Sequence, residues 1–219
     1  IRAAAKSCAI FWTDAQTTEL QGGYRPPVCM FGEEIMDARI ALSARLQAVA
    51  DMVPPCGIVA DIGCDHGKVA ASLVVDGKAQ RAVCGDISTA SLDKARTLVD
   101  ECCLQSRISL RVGDGLAVLQ PGEADAAVIA GMGGMLIASI LKEGVDSAPD
   151  VLMLSPNRDA VTVRHTLVGL GYRIADEALV CEAGHYYPVI LAVRGESRAL
   201  TEIEAEFGPV LLQKKPEAL

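Results

Sequence analysis

The densest chemistry in the chain lies in the run Asp61-Ile62-Gly63-Cys64-Asp65-His66-Gly67. It ends an apolar segment and opens a helix-like one. Its glycines let the backbone approach a ligand closely, and the N-terminus of the following helix is electropositive. A second acid, Asp86, ends the next apolar segment. An acid roughly 20 residues on is placed to accept hydrogen bonds from ribose hydroxyls. A nucleotide-like ligand follows from this pair of features.

A dinucleotide site needs G-x-G-x-x-G for its pyrophosphate. Here the second glycine position holds Asp65, whose carboxylate repels pyrophosphate but suits the sulfonium and ammonium of S-adenosylmethionine. That argues against a nicotinamide-dependent oxidoreductase. Asp114, in Val112-Gly113-Asp114-Gly115-Leu116, could accept from an adenine amine, although such an Asp can equally cap a tight turn. Ile87 beside Asp86 and Gly115 beside Asp114 join the cofactor-binding candidates, with Ala130, Gly131 and Met132. Ala130-Gly131-Met132-Gly133-Gly134 makes a bare lip where ligands sit in open α/β sheets, or a helix start that needs close packing. Asn157 could offer its amide to a base edge or close an Asx-turn. His66 sits inside the cofactor loop, and Arg45, Lys68, Arg158 and Arg164 could form a cationic rim or be ordinary solvated charges.

Alternating elements position these residues. Apolar spacing predicts a helix over 37–52, stopped by Pro54 and Pro55. Strands follow in GIVADIG, AVCGD, ISLRVGDG (strand and turn), ADAAVIAGMGG and DVLMLSPN, with helices between them and over 159–170. Ser88 is placed to cap the second of the intervening helices. Alternation of this kind means a parallel sheet covered on both faces. The segments 172–181 and 186–193 share a short connection and should form an antiparallel hairpin at one edge. The expected fold is therefore α/β and Rossmann-like: a seven-stranded, mostly parallel sheet with one antiparallel edge strand and helices on both faces. Residues 1–35 show no periodicity and are expected to be a poorly ordered leader, with Met36 a sensible start. The domain should span 36–196, and 197–219 should begin a C-terminal helical extension.

Of 219 residues, 51% are hydrophobic and the net charge is −8. The length suffices for a real core without metal or disulfide staples. The eight cysteines include no CxxC pair, so no metal site is implied, and a reducing cytoplasm suits them. No apolar run approaches a membrane span. The acidity opposes loose nucleic-acid binding but allows a local basic patch.

The segments ALSARLQAVADMVP, VADIGCDHG, VGDGL, EADAAVIAGMGGMLIASIL, LSPN, VRHTLVGLGYRIADEALVCEAGHYYPVI and FGP occur in that order. Together, from Asp37 to Pro209, they resemble the bacterial tRNA adenine-N1 methyltransferase family that modifies position 22 of tRNA. The resemblance implies S-adenosylmethionine as donor, tRNA as partner, and a coiled-coil-like extension after a Rossmann-like domain. It implies that Asp61, Gly63, Asp65 and His66 line the methionine part of the donor, Asp86 the ribose and Asp114 the adenine. It sets Gly131–Gly134 beside the target base and Arg45 at the active-site mouth. Asp65, His66, Arg45 and Asn157 are the residues expected to serve the reaction. Gly67-Lys68-Val69 stands where the family usually continues with an aromatic and a proline. A cytoplasmic monomer or weak homodimer without membrane contact is expected. Two rivals fit the acidity: a methyltransferase for a small molecule, and a non-catalytic donor- or RNA-binding module.

Overall fold

The computed structural model describes residues 40–214. The expected leader, Met36, the first residues of the predicted helix and the tail beyond 214 lie outside them. The described residues form seven strands and seven helices in the order α1 (Ala44–Met52), β1 (Cys56–Ile62), α2 (Lys68–Val75), β2 (Ala79–Asp86), α3 (Thr89–Glu101), β3 (Ile108–Val112), β4 (Ala126–Ala130), α4 (Gly134–Glu143), β5 (Val151–Ser155), α5 (Ala160–Gly169), β6 (Tyr172–Glu182), β7 (His185–Arg194), α6 (Glu202–Phe207) and α7 (Pro209–Lys214). A single 3-10 turn, Gly115–Val118, connects β3 towards β4.

The strands form one sheet in the order β3-β2-β1-β4-β5-β7-β6. β1 to β5 are parallel, and β7 runs antiparallel to both β5 and β6. The single reversed strand is thus β7, inserted one place in from the edge, with β6 outermost. The two-residue connection of the hairpin forces that reversal.

Side chains alternate between two cores. Val59, Val128, Met153 and Val189 face α1, α2 and α3. Ala60, Ile129, Leu152 and Ile190 face α4 and α5. Strands buried on both faces read as unbroken apolar runs, which is why the sequence located them.

The first helix is shorter than its apolar spacing predicts. It starts at Ala44, because Ser43 accepts from the Leu46 amide and ends the extended approach. Ile40 and Leu42 still pack against the core from outside the helix. Ser88 caps α3 as expected. α6 and α7 lie within the segment 197–219, and Thr201 and Glu204 cap α6 with a capping box of T-x-x-E spacing.

Arg164 corrects the proposed cationic rim. It is 1% exposed, and its Nε donates to Glu177 Oε1 at 2.8 Å. Its Nη1 donates to the carbonyls of Ala205 and Glu206, near the end of α6. Glu177 Oε2 accepts from the Val210 and Leu211 amides in the first turn of α7. Each charge thus meets the helix end of opposite polarity. Removing one partner strands the other in the core. Glu177→Ala is expected to cost about 3–5 kcal/mol in urea unfolding, and an unchanged midpoint would show the pair to be dispensable.

Candidate active site

The carboxyl ends of β1 and β4 and the starts of α1 and α2 enclose a cavity of about 430 Å³, lined by Arg45, Asp61, Gly63–His66, Lys68 and Ala130–Met132 among others. That volume is within the range of small-ligand sites.

Gly67 precedes α2 in a left-handed conformation and supplies no side-chain cap. Asp61, on the neighbouring strand, fills the role: its Oδ2 accepts from the Ala70 amide at 3.2 Å, in the first turn of α2. Asp61 is 6% exposed. Burial pushes its pKa up to about 6, against the lowering effect of the Ala70 bond, and the Asp86 charge pushes it further.

Asp86 ties the loop down. Its Oδ2 accepts from the Asp65 amide at 3.1 Å and its Oδ1 from the Ser88 amide at 2.8 Å. The Gly63 amide donates to the Gly85 carbonyl at 2.7 Å. Gly63 has φ +69°, and a Cβ there would lie 2.0 Å from Met132 Cε. The left-handed backbone thus favours glycine, and the flexible end of Met132 fills the space that a Cβ would take.

Asp65 takes the left-handed φ of 47° that glycine would occupy in a dinucleotide loop, a conformation Asp tolerates. Its carboxylate meets His66 Nδ1 at 2.6 Å and Lys94 Nζ at 3.5 Å. Partial burial would raise its pKa, but the His66 hydrogen bond and the His66 and Lys94 charges outweigh it and leave it lowered.

Asn157 sits behind the lip. Its Nδ2 donates to the Gly131 carbonyl and its backbone N–H to the Met132 carbonyl, both at 2.8 Å. Its Oδ1 accepts from Arg45 Nη1. The amide expected to face a base edge is therefore already engaged. Gly131 is exposed, at φ +81°. Gly134, by contrast, is buried where a Cβ would strike the Asp159 carbonyl at 2.2 Å. The lip and the close-packed helix start thus share the glycine run.

The structure brings Arg45, Asp61, Gly63, Asp65, His66, Ala130, Gly131 and Met132 to one cavity. Asp86 supports that cavity from beneath the loop, and Ile87 is 71% exposed beside it. Asp114 and Gly115 border a second hollow of about 410 Å³, against α4. Arg158 stays at the surface near Gly133. Two neighbours of Arg45 escaped the sequence reading. Glu182 Oε1 accepts from the Arg45 amide at 3.0 Å, and the Tyr187 ring lies 4.6 Å below its guanidinium. Nothing in the local pattern around either residue links it to a segment so distant in the chain. Among the described residues no cluster of His, Cys, Asp and Glu is placed to hold a metal ion.

A methyltransferase-domain family model matches residues 42–190. The chain is 42% identical to the tRNA (adenine(22)-N(1))-methyltransferase of Bacillus subtilis over 162 residues, 73% of this chain and 68% of that one. A crystal structure of the B. subtilis tRNA (m1A22) methyltransferase superposes with a TM-score of 0.77 at 38% identity, covering 82% of this chain and 80% of that one. A putative Streptococcus pneumoniae tRNA (m1A22) methyltransferase, in complex with S-adenosyl-L-methionine, gives 0.78 at 31%, covering 81% and 84%.

Asp61 yields a prediction for the site. A raised native pKa means that the folded state resists ionising the group. Its destabilising effect is absent below the unfolded value of 3.8, grows as pH rises through about 6, and is complete above it. Asp61→Asn keeps an acceptor for Ala70 without the charge. It should raise the unfolding free energy at pH 7, by on the order of 3 kcal/mol, and flatten its pH dependence across that window. Parallel stability–pH curves for the two proteins would overturn the assignment.

Proposed function

The chain belongs to the tRNA (adenine(22)-N1)-methyltransferase family, and we propose from that premise how its cavity works. It is an S-adenosylmethionine-dependent enzyme that transfers a methyl group to N1 of an adenine in tRNA. A single arrangement carries the site reading: Asp61, Asp86 and Asp114 stand at or just beyond the carboxyl ends of three adjacent parallel strands. Neighbouring strands lie about 4.8 Å apart, so the three acids form a row about 10 Å long. An amino acid joined to a ribose and an adenine fits such a row. Asp61, Gly63, Asp65 and His66 would hold the methionine part, Asp86 and Ile87 the ribose side, and Asp114 and Gly115 the adenine.

The cavity fits this donor in charge and shape. Its acids suit an ammonium and a sulfonium, Gly63 leaves room for close approach, and Met132, whose flexible thioether covers Gly63, can swing aside. The bound donor supplies an electrophilic methyl group. Adenine N1 carries an in-plane lone pair and is largely unprotonated at neutral pH, so no strong base is needed to create the nucleophile. The chain's task is then position and orientation, worth about 7–11 kcal/mol in favourable cases. Gly131 and Met132 border the path of the base, which must leave its stack at a cost of a few kcal/mol. The methylated base is cationic, and Asp65 offsets that charge.

Because tRNA is the substrate, we place the enzyme in the cytoplasm, acting as a monomer or weak homodimer without membrane contact. A small-molecule acceptor and a non-catalytic module lack the support that the relatives give to tRNA.

Labelled S-adenosylmethionine and unmodified tRNA should yield 1-methyladenosine on nucleoside mass spectrometry. Label passing only into small molecules, or donor binding without turnover, would overturn the reading. Asp65→Ala should weaken donor affinity roughly tenfold, a modest factor because the side chain is half exposed. Donor affinity measured by calorimetry should also rise as pH passes upward through about 6, since the bound cation favours ionised Asp61. Wild-type affinity in Asp65→Ala and a flat pH profile would remove both acids from the donor site.

A further inference from the structure

Arg45 is held from several sides, and one support has no counterpart in any motif. Its backbone N–H donates to Glu182 Oε1, and Glu182 also accepts from Ser43, so the end of β6 anchors the start of α1. Its Nη1 is bound to Asn157 Oδ1. Its Nε is buried without a hydrogen-bond partner. Its guanidinium lies 4.6 Å from the Tyr187 ring centroid, and its Nη2 stands 3.9 Å from where a Cβ on Gly131 would be. The Tyr187 ring is braced edge-on by His185 at 6.5 Å.

We propose that Tyr187 is a positioning residue: its ring holds the Arg45 guanidinium flat at the cavity mouth, with Nη2 presented toward Gly131 for a tRNA phosphate beside the target adenine. The proposal rests on the tRNA reading above. Arginine has a long, flexible stem, and a planar partner restricts its freedom before the ligand arrives. The anion follows from charge. The base becomes cationic on methylation, so a guanidinium facing the base alone would oppose the product, whereas one paired with a flanking phosphate does not. Among the described residues, Nη1 is bound by Asn157 and one face by Tyr187, and no hydrogen bond or ion pair engages Nη2. The contact uses the face of the ring, so phenylalanine should serve in place of tyrosine.

The test is steady-state methylation of unmodified tRNA by wild type, Tyr187→Leu, Tyr187→Phe, Arg45→Ala and the double variant Arg45→Ala/Tyr187→Leu. Melting temperature and donor affinity are followed in parallel. Tyr187→Leu keeps apolar bulk but loses the aromatic face. It should raise KM for tRNA roughly 2- to 30-fold, with donor affinity unchanged, while Tyr187→Phe stays near wild type. Arg45→Ala should lower the salt slope of tRNA binding by about one, and the double variant should match Arg45→Ala alone. Should Tyr187→Leu not fold, Arg45→Lys makes the test from the other side, because it keeps the charge but not the planar stack. Wild-type KM in Tyr187→Leu (or in Arg45→Lys), additive losses in the double variant, or a Tyr187→Phe as impaired as Tyr187→Leu would each overturn the proposal while tRNA methylation by wild type stands. If wild type forms no 1-methyladenosine, the tRNA reading falls and this proposal falls with it.

Discussion

A helix capped by a glycine has no cap side chain to satisfy its first amides, and Gly67 is the residue that caps α2. The Ala70 amide must find an acceptor elsewhere, and it finds Asp61 on the adjacent strand. Much of the site follows from that constraint. The carboxylate is drawn to the buried end of β1, where desolvation raises its pKa. The loop between strand and helix must then close over a short span. It does so with left-handed Gly63, Asp65 and Gly67, and it is tied back to β2 through Asp86 and Gly85. The acids that suit a cationic ligand are thus the same groups that fasten the loop.

The acidity of the chain and its polyanionic substrate are compatible once the cations are located individually. Arg164 is withdrawn into the core, where it meets the Glu177 carboxylate and the carbonyl end of α6. Arg111 is spent on Glu123. What reaches the cavity is Arg45 and Lys68, with Arg158 exposed nearby. Affinity for tRNA then depends on the placement of a few groups and not on the net charge of −8.

The strands were legible because they are buried on both faces and cannot avoid apolar runs. The loop after β1, proposed to hold the donor, was legible because glycines and acids in that order have few structural uses. The resemblance supplied the position on tRNA, which composition and spacing left open. Three features were less accessible. The start of α1 depended on whether Ser43 or an earlier residue would cap it, and apolar spacing continues smoothly through both. The burial of Arg164 needed Glu177, a residue that reads as one more solvent-facing position of a strand. Tyr187 needed the sheet order itself, because only the insertion of β7 between β5 and β6 carries the hairpin to α1.

That insertion separates the site along the chain. The acids proposed to hold the donor all lie between Asp61 and Asp114, in one contiguous stretch of the chain. Apart from the Gly131 and Asn157 contacts, the mouth is assembled from opposite ends of the described chain, with Arg45 and Ser43 from one side and Glu182 and Tyr187 from the other. Substitutions in the hairpin can therefore reshape the mouth while leaving the acids proposed to hold the donor untouched.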